Sequence, residues 1–287
     1  MKIRTCNTAA LAAVLMTTAL VAQGPEQQSL IIHDYGESVT PALEGWYTNP
    51  DGSFTILVGY YNRNLKKEMD VPAGPNNRIE PGGPDMGQPT HFMPARQWGM
   101  FTVKVPKDFG QKKLTWTLVV NGKTNSIPLH LLDDYMIKPM IDALDNTPPY
   151  LSFKPFAQGA PTTQGPMGLV ENLTARVGEP LTLTAFVADD NVVGPGRARK
   201  PDPPVTLVWS MFRGPAATKF TPARPKAEKA DDKLPTKTVW AGKASTTATF
   251  TEPGEYILHL TVNDGSGDGG AGFQCCWTSG KVKVTVK

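Results

Sequence analysis

Cysteine is almost missing from this chain: three in 287 residues, at positions 6, 275 and 276. Two neighbours and one distant residue supply no framework of cross-links, so buried apolar surface has to hold the fold. Histidine is as sparse, four in all with no HxH or HExxH spacing, which argues against zinc hydrolysis. There is no G-x-S-x-G elbow, no P-loop and no G-x-G-x-x-G between a strand and a helix. After the N-terminal stretch no segment approaches the ~20 apolar residues of a membrane-spanning helix. Neither sign of charge dominates: 29 Lys and Arg face 26 Asp and Glu. If Lys2 and Arg4 depart with a leader, 27 face 26, and no electrostatic footprint for nucleic acid or an anionic membrane remains.

Punctuation is abundant. Glycine and proline number 27 each, which favours many short elements joined by turns over long helices or a coiled coil. At ~100–200 residues per domain the length predicts two domains. Residues 1–23 read as a secretory signal. Lys2 and Arg4 precede an apolar stretch at 9–21 that is too short to span a bilayer, with cleavage near Ala22 or Gln23. An exported protein is expected, periplasmic or at the cell surface, without a transmembrane anchor.

Residues 24–138 carry period-two alternation with β-branched and aromatic residues, the pattern of strands. Asn49-Pro50-Asp51-Gly52 and Asn121-Gly122 mark hairpins. A β-sandwich is predicted, with one long Pro- and Gly-rich excursion at 71–90. The stretches EGWYTNPDGSFTILVGYYNRN, IEPGG and GQPTHF are similar to ones in uncharacterised exported bacterial proteins, a resemblance that implies no activity. Residues 139–172 form a linker whose Tyr150, Phe153 and Phe156 are expected to pack on a domain. Residues 173–287 alternate again. Gly178-Glu179-Pro180-Leu181 opens a strand, Trp209 sits on another, and Pro253-Gly254-Glu255-Tyr256 precedes the penultimate one. These tokens resemble bacterial immunoglobulin-like and PKD-like modules. The resemblance implies a sandwich with Trp209 buried and a tyrosine corner at Tyr256, with Leu258 where an antibody domain has cysteine; it does not imply a function. The expected class is all-β, two β-sandwiches in tandem after a signal peptide, the second immunoglobulin-like.

In such a sandwich the loops after the second and sixth strands leave from one end, here residues 188–204 and 263–280. Asp189, Asp190 and Asn191 are therefore expected to approach Asp264, Asp268 and Cys275-Cys276-Trp277. Their oxygens suit calcium, while Asx-turns are the alternative use. The cysteines either bond to each other, stay free, or link two chains. A vicinal disulfide presents a rigid plate, beside which Trp277 either stacks on a sugar ring or packs inward. In the first domain Met86, His91 and Met93 offer copper-type ligands, or ordinary packing. Arg96, Trp98, Asn76 and Asn77 extend a contact surface beside the long loop. His259 alternates with Leu258 and Leu260, which puts it on the solvent face of its strand. The function expected is non-catalytic: binding or scaffolding through recognition of a glycan, a small ligand or a surface protein. The rivals are a structural or adhesive cell-surface subunit and a copper- or calcium-dependent periplasmic enzyme or metal-binding protein.

Overall fold

Alternating apolar and polar residues become strands throughout. The computed structural model of the chain describes residues 33–142, 145–192, 202–264 and 275–287. The expected secretory signal at 1–23, Asp268 and most of the two long loops of the second half lie outside the described residues. Among the described residues there are seventeen strands, three short 3-10 turns and no α-helix, so the protein is all-β. No helix there is long and apolar enough to cross a membrane.

The first half contains β1 (Val39–Thr48), β2 (Phe54–Asn62), β3 (Met69–Asp70), β4 (Asn77–Glu80), β5 (His91–Phe92), β6 (Ala95–Val105), β7 (Leu114–Val120) and β8 (Lys123–Leu129). One sheet runs β1-β2-β6 and another β4-β7-β8, with β3 and β5 paired separately. Val39, Ile56, Val58, Tyr60, Ile79, Phe101, Val103, Trp116 and Leu118 fill the core they share. Both turn signals are realised. Asn49 N–H donates to Ser53 O at 2.8 Å. Asn121 and Gly122 have φ of +51° and +73°, the pair of positive values that gives a two-residue hairpin the twist of its strands.

The excursion at 71–90 is drawn into the sandwich. Its centre is β4, antiparallel to β7, with Ile79 facing the core. Asn77, read from the sequence as a contact residue, is fully buried. Its Nδ2 donates to Val71 O (2.9 Å) and Pro89 O (2.8 Å), and its Oδ1 accepts from Trp116 Nε1 (3.0 Å). Asn76 next to it is exposed.

The second half contains β9 (Tyr150–Ser152), β10 (Val170–Ala175), β11 (Leu181–Asp189), β12 (Thr206–Arg213), β13 (Thr218–Thr221), β14 (Glu228–Lys229), β15 (Trp240–Phe250), β16 (Gly254–Asn263) and β17 (Trp277–Val286). Its sheets are β10-β17-β16-β12 and β13-β15-β11-β9, with β14 also on β15. Trp209 is buried between Phe153 and Phe220, at centroid distances of 6.3 and 6.4 Å. The Tyr256 hydroxyl donates to Glu252 O at 2.9 Å, as in a tyrosine corner. Leu258 is fully buried, so apolar packing stands where an antibody domain has its disulfide.

The outer face of β12-β16-β17 is covered around Phe212 and His259, while Thr206, Glu255 and Lys283 at its margins stay exposed. β12 carries a register shift between Met211 and Arg213. Phe212 there joins the first sandwich's core, and its carbonyl accepts from Thr90 N–H at 3.1 Å. Arg213 forks onto the Asp85 carboxylate at 2.9 and 2.8 Å. His259 therefore lies in an interior: 1% exposed, not solvent-facing. Alternation gave its face of the strand correctly and gave no information about what covers that face.

Candidate functional site

Where the first residues of β6 face the outer side of β12 and β16 there is a cleft of about 370 Å³. Met93, Arg96, Trp98, Arg224, His259 and Trp277 line it. Its floor depends on one glycine. Gly99 has φ +56°, and a Cβ built there would stand 2.5 Å from Cζ2 of Trp277. Only a residue without a side chain lets the indole lie against β6 in this left-handed conformation. Gly99 N–H donates to Oε2 of Glu44 at 2.8 Å, and Oε1 of Glu44 lies 2.7 Å from Nη2 of Arg96. Arg96 also donates through Nη1 to Tyr60 O (2.9 Å) and Gln97 O (2.8 Å), and its Cζ lies 3.9 Å from the Trp98 ring centroid. Arg96 is thus a fixed part of the wall, with Trp98 held beside it and 36% exposed. Burial pushes the Glu44 carboxyl up to about 7, against the opposing pull of the Arg96 charge and the Gly99 N–H.

On the facing wall burial, and then the charge of Lys281, pulls His259 down to about 3, so the imidazole is neutral. Among the described residues its Nε2 has no hydrogen-bond partner, and neither has Nε1 of Trp277, a residue only 3% exposed. Lys281 pairs with His259 across β16 and β17, and its Nζ lies 3.9 Å from the Phe212 ring centroid. Burial, then Arg213 and Lys283, pull this amine down to about 8.

Two opposite pH dependences follow. His259 takes its proton near 6.5 when unfolded and near 3 when folded. The stability it contributes is whole above about pH 6.5 and is lost as pH falls toward 3, by about 2 kcal/mol at about pH 5. Glu44 protonates near 7 folded and near 4.5 unfolded, so stability falls as pH rises through that window. Because the two oppose, single variants separate them. Relative to His259→Gln, the native chain is expected to lose about 2 kcal/mol more between about pH 7.5 and pH 5 in urea unfolding. Parallel curves would show that the imidazole is not held neutral.

The loop end of the second sandwich does gather distant residues. Asp190 accepts from Thr147 N–H (3.0 Å) and Oγ1 (2.7 Å). Asp264 accepts from Asn146 Nδ2 (2.7 Å), and Sγ of Cys276 lies 3.5 Å from Asn146 O. The links are Asn146 and Thr147, neighbours that belong to no motif. Asp189 and Asp190 accept from the backbone N–H of Asn191 (2.7 Å) and Val192 (2.9 Å), which is Asx-turn geometry. Among the described residues no group of three or more His, Cys, Asp or Glu is placed to hold a metal ion; Asp268 lies outside them.

Cys275 and Cys276 are bonded to each other across a cis peptide. Both are buried, so the disulfide is not an exposed plate, and Trp277 beside it is the first residue of β17 instead of part of a loop. The copper expectation fares differently. His91 Nδ1 lies 2.8 Å from Asp70 Oδ1 and Nε2 3.3 Å from Glu68 Oε2. Burial pulls this imidazole down, but the two carboxylates together outweigh it and raise it. With both ring nitrogens committed to carboxylates, His91 has none to offer a metal. Met86 packs against the first core, and Met93 lines the cleft instead.

No protein-family model and no curated protein matches the chain. Among solved structures it is similar to domains 4 and 5 of the S-layer protein SbsC, at 10% identity over 87% of this chain and 98% of that one, with a TM-score of 0.23. It is also similar to the cadherin-like domains 1 to 4 of zebrafish RET (14% identity, 64% and 36% covered, TM-score 0.25). A third is the adhesin CfaE of enterotoxigenic Escherichia coli in its G168D form (9% identity, 89% and 88% covered, TM-score 0.26). Likenesses of this degree carry no argument about ligand or activity.

Proposed function

We propose that this chain is a non-catalytic, exported binding protein of the periplasm or cell surface, and that the cleft between its sandwiches receives a glycan or another small ligand. The supporting observation is a convergence. Arg96, Trp98 and Trp277 line one cleft together with two buried polar atoms, His259 Nε2 and Trp277 Nε1, that have no hydrogen-bond partner among the described residues. A buried polar atom left unpaired costs about 1–3 kcal/mol, a cost that a ligand hydroxyl or carboxylate, or ordered water, relieves. The cleft volume falls in the ~300–1,000 Å³ range of small-molecule sites, and the part-exposed Trp98 indole offers a face for a sugar ring. The test is glycan-array binding by the purified chain and by Trp98→Ala. Specific binding by the native chain, lost in a variant that melts within about 2 °C of it, is expected. An array that stays blank, or binding that Trp98→Ala retains, overturns the reading.

A second reading, a structural or adhesive surface subunit, has its own observation. Among the described residues β10 is the outer strand of its sheet, joined only to β17, and Val170 at its start is exposed. An outer strand is a template for pairing with another chain. Sedimentation velocity tests it: association that grows with concentration and is lost with Leu173→Pro in β10 favours assembly, and a monomer at every concentration removes it.

A further inference from the structure

If the cleft is the binding site, we infer that its ligand is an anion, a sugar-sized ring bearing a carboxylate or a sulfate. The inference rests on the binding reading above and on how charge is distributed around the cleft. Among the described residues that line it there is no Asp and no Glu. Glu44, the carboxylate tied to this wall, sits behind Arg96 with its side chain fully buried and is already paired with that guanidinium. Arg213 is likewise matched by Asp85. Two cations have no counterpart. Arg224 lines the cleft, is exposed, and makes no ion pair or hydrogen bond among the described residues. Lys281, cross-strand neighbour of the cleft residue His259, has no carboxylate partner among them either, and what its ammonium meets is the face of Phe212.

Lys281 is half-buried, and an ammonium drawn partly out of water without a counter-ion is costly, which a ring face compensates only in part. Removal of His259 from the charge balance sharpens the point: neutral and almost fully buried in the cleft wall, it neither opposes nor adds to the positive field. Trp277 Nε1 is a donor and nothing else. The unmet needs of the site are thus one indole N–H seeking an acceptor and one lining cation, Arg224, seeking a negative charge, with the Lys281 ammonium adding its field from outside the lining. The fork of Arg224 matches a carboxylate or sulfate group in bidentate fashion. Trp98 supplies the apolar face for the ring that carries it, and the cleft volume limits the occupant to about one or two pyranose units.

Isothermal titration of the intact protein with D-glucuronate, glucose 6-sulfate and methyl glucoside tests this. At least one of the two charged sugars is expected to bind ten-fold or more tightly than methyl glucoside, and to weaken as NaCl is raised from about 50 to 500 mM. Which of the two is preferred separates carboxylate from sulfate. Arg224→Gln, at an exposed position whose side chain has no partner among the described residues, is expected to erase the difference between charged and neutral sugar. Methyl glucoside binding as well as both anions overturns the anion inference and leaves the binding reading in place. Failure of all three sugars, together with a blank array, overturns both.

Discussion

Asn77→Ala is expected to lower the unfolding free energy by about 3–5 kcal/mol, among the largest effects of any polar substitution in the chain. The side chain is fully buried and its amide closes three hydrogen bonds, to the carbonyls of Val71 and Pro89 and from the indole of Trp116. Alanine orphans all three partners where water does not reach, at about 1–3 kcal/mol each before relaxation. Asn77→Asp is nearly isosteric and is expected to be no milder, because it turns an amide donor aimed at two carbonyls into a repelling carboxylate. The damage should be regional. Gln88 reaches back to Asn77 O at 3.1 Å and to Pro84 O at 2.6 Å, so residues 71–90 lose their anchor while the second sandwich keeps its own. Urea unfolding gives the magnitude, and hydrogen exchange gives the place. A loss under about 1 kcal/mol would mean that something other than Asn77 holds the excursion.

That residue also shows where sequence reasoning stops. The excursion itself was legible, because proline and glycine interrupt a run of alternating strands. Its anchoring was not: β4 is four residues long, and in Asn77-Arg78-Ile79-Glu80 only one inward residue is apolar, so no pattern marks the other as interior. The hairpin at Asn121-Gly122 and the corner at Tyr256 were legible because local backbone geometry demands particular residues there. His259 and Trp277 were placed on a solvent face and in a loop respectively. The first error arises because alternation says which residues share a face and nothing of what lies across from it. The second arises because glycines at 265–272 hide where β17 begins. The cleft is made by exactly such cross-sandwich contacts. Arg96, Trp98 and Trp277 could be picked out by type, but Glu44, Gly99 and His259 acquire their roles only when β6 meets β16 and β17.

Gly99→Ala is expected to cost about 2–5 kcal/mol, and Gly99→Val more. Two contributions combine. A side chain at φ +56° carries the left-handed penalty of about 1–2 kcal/mol. The new Cβ also meets Cζ2, Cε2 and Nε1 of Trp277 at 2.5–2.9 Å, an overpacking worth about 1–3 kcal/mol. The indole has little room to retreat, since Trp277 is held in β17 opposite Asn263 and follows directly on the buried cysteine pair. A double-mutant cycle separates the contributions. If the clash matters, Trp277→Phe shortens the ring and should recover about 1–2 kcal/mol of the Gly99→Ala loss, a coupling well beyond additivity. Additive costs would assign the whole effect to the backbone. The distinction bears on the cleft as well: with a clash, Gly99→Ala also displaces one wall and should weaken sugar binding in step with stability, whereas a backbone penalty alone leaves Trp277 where it is.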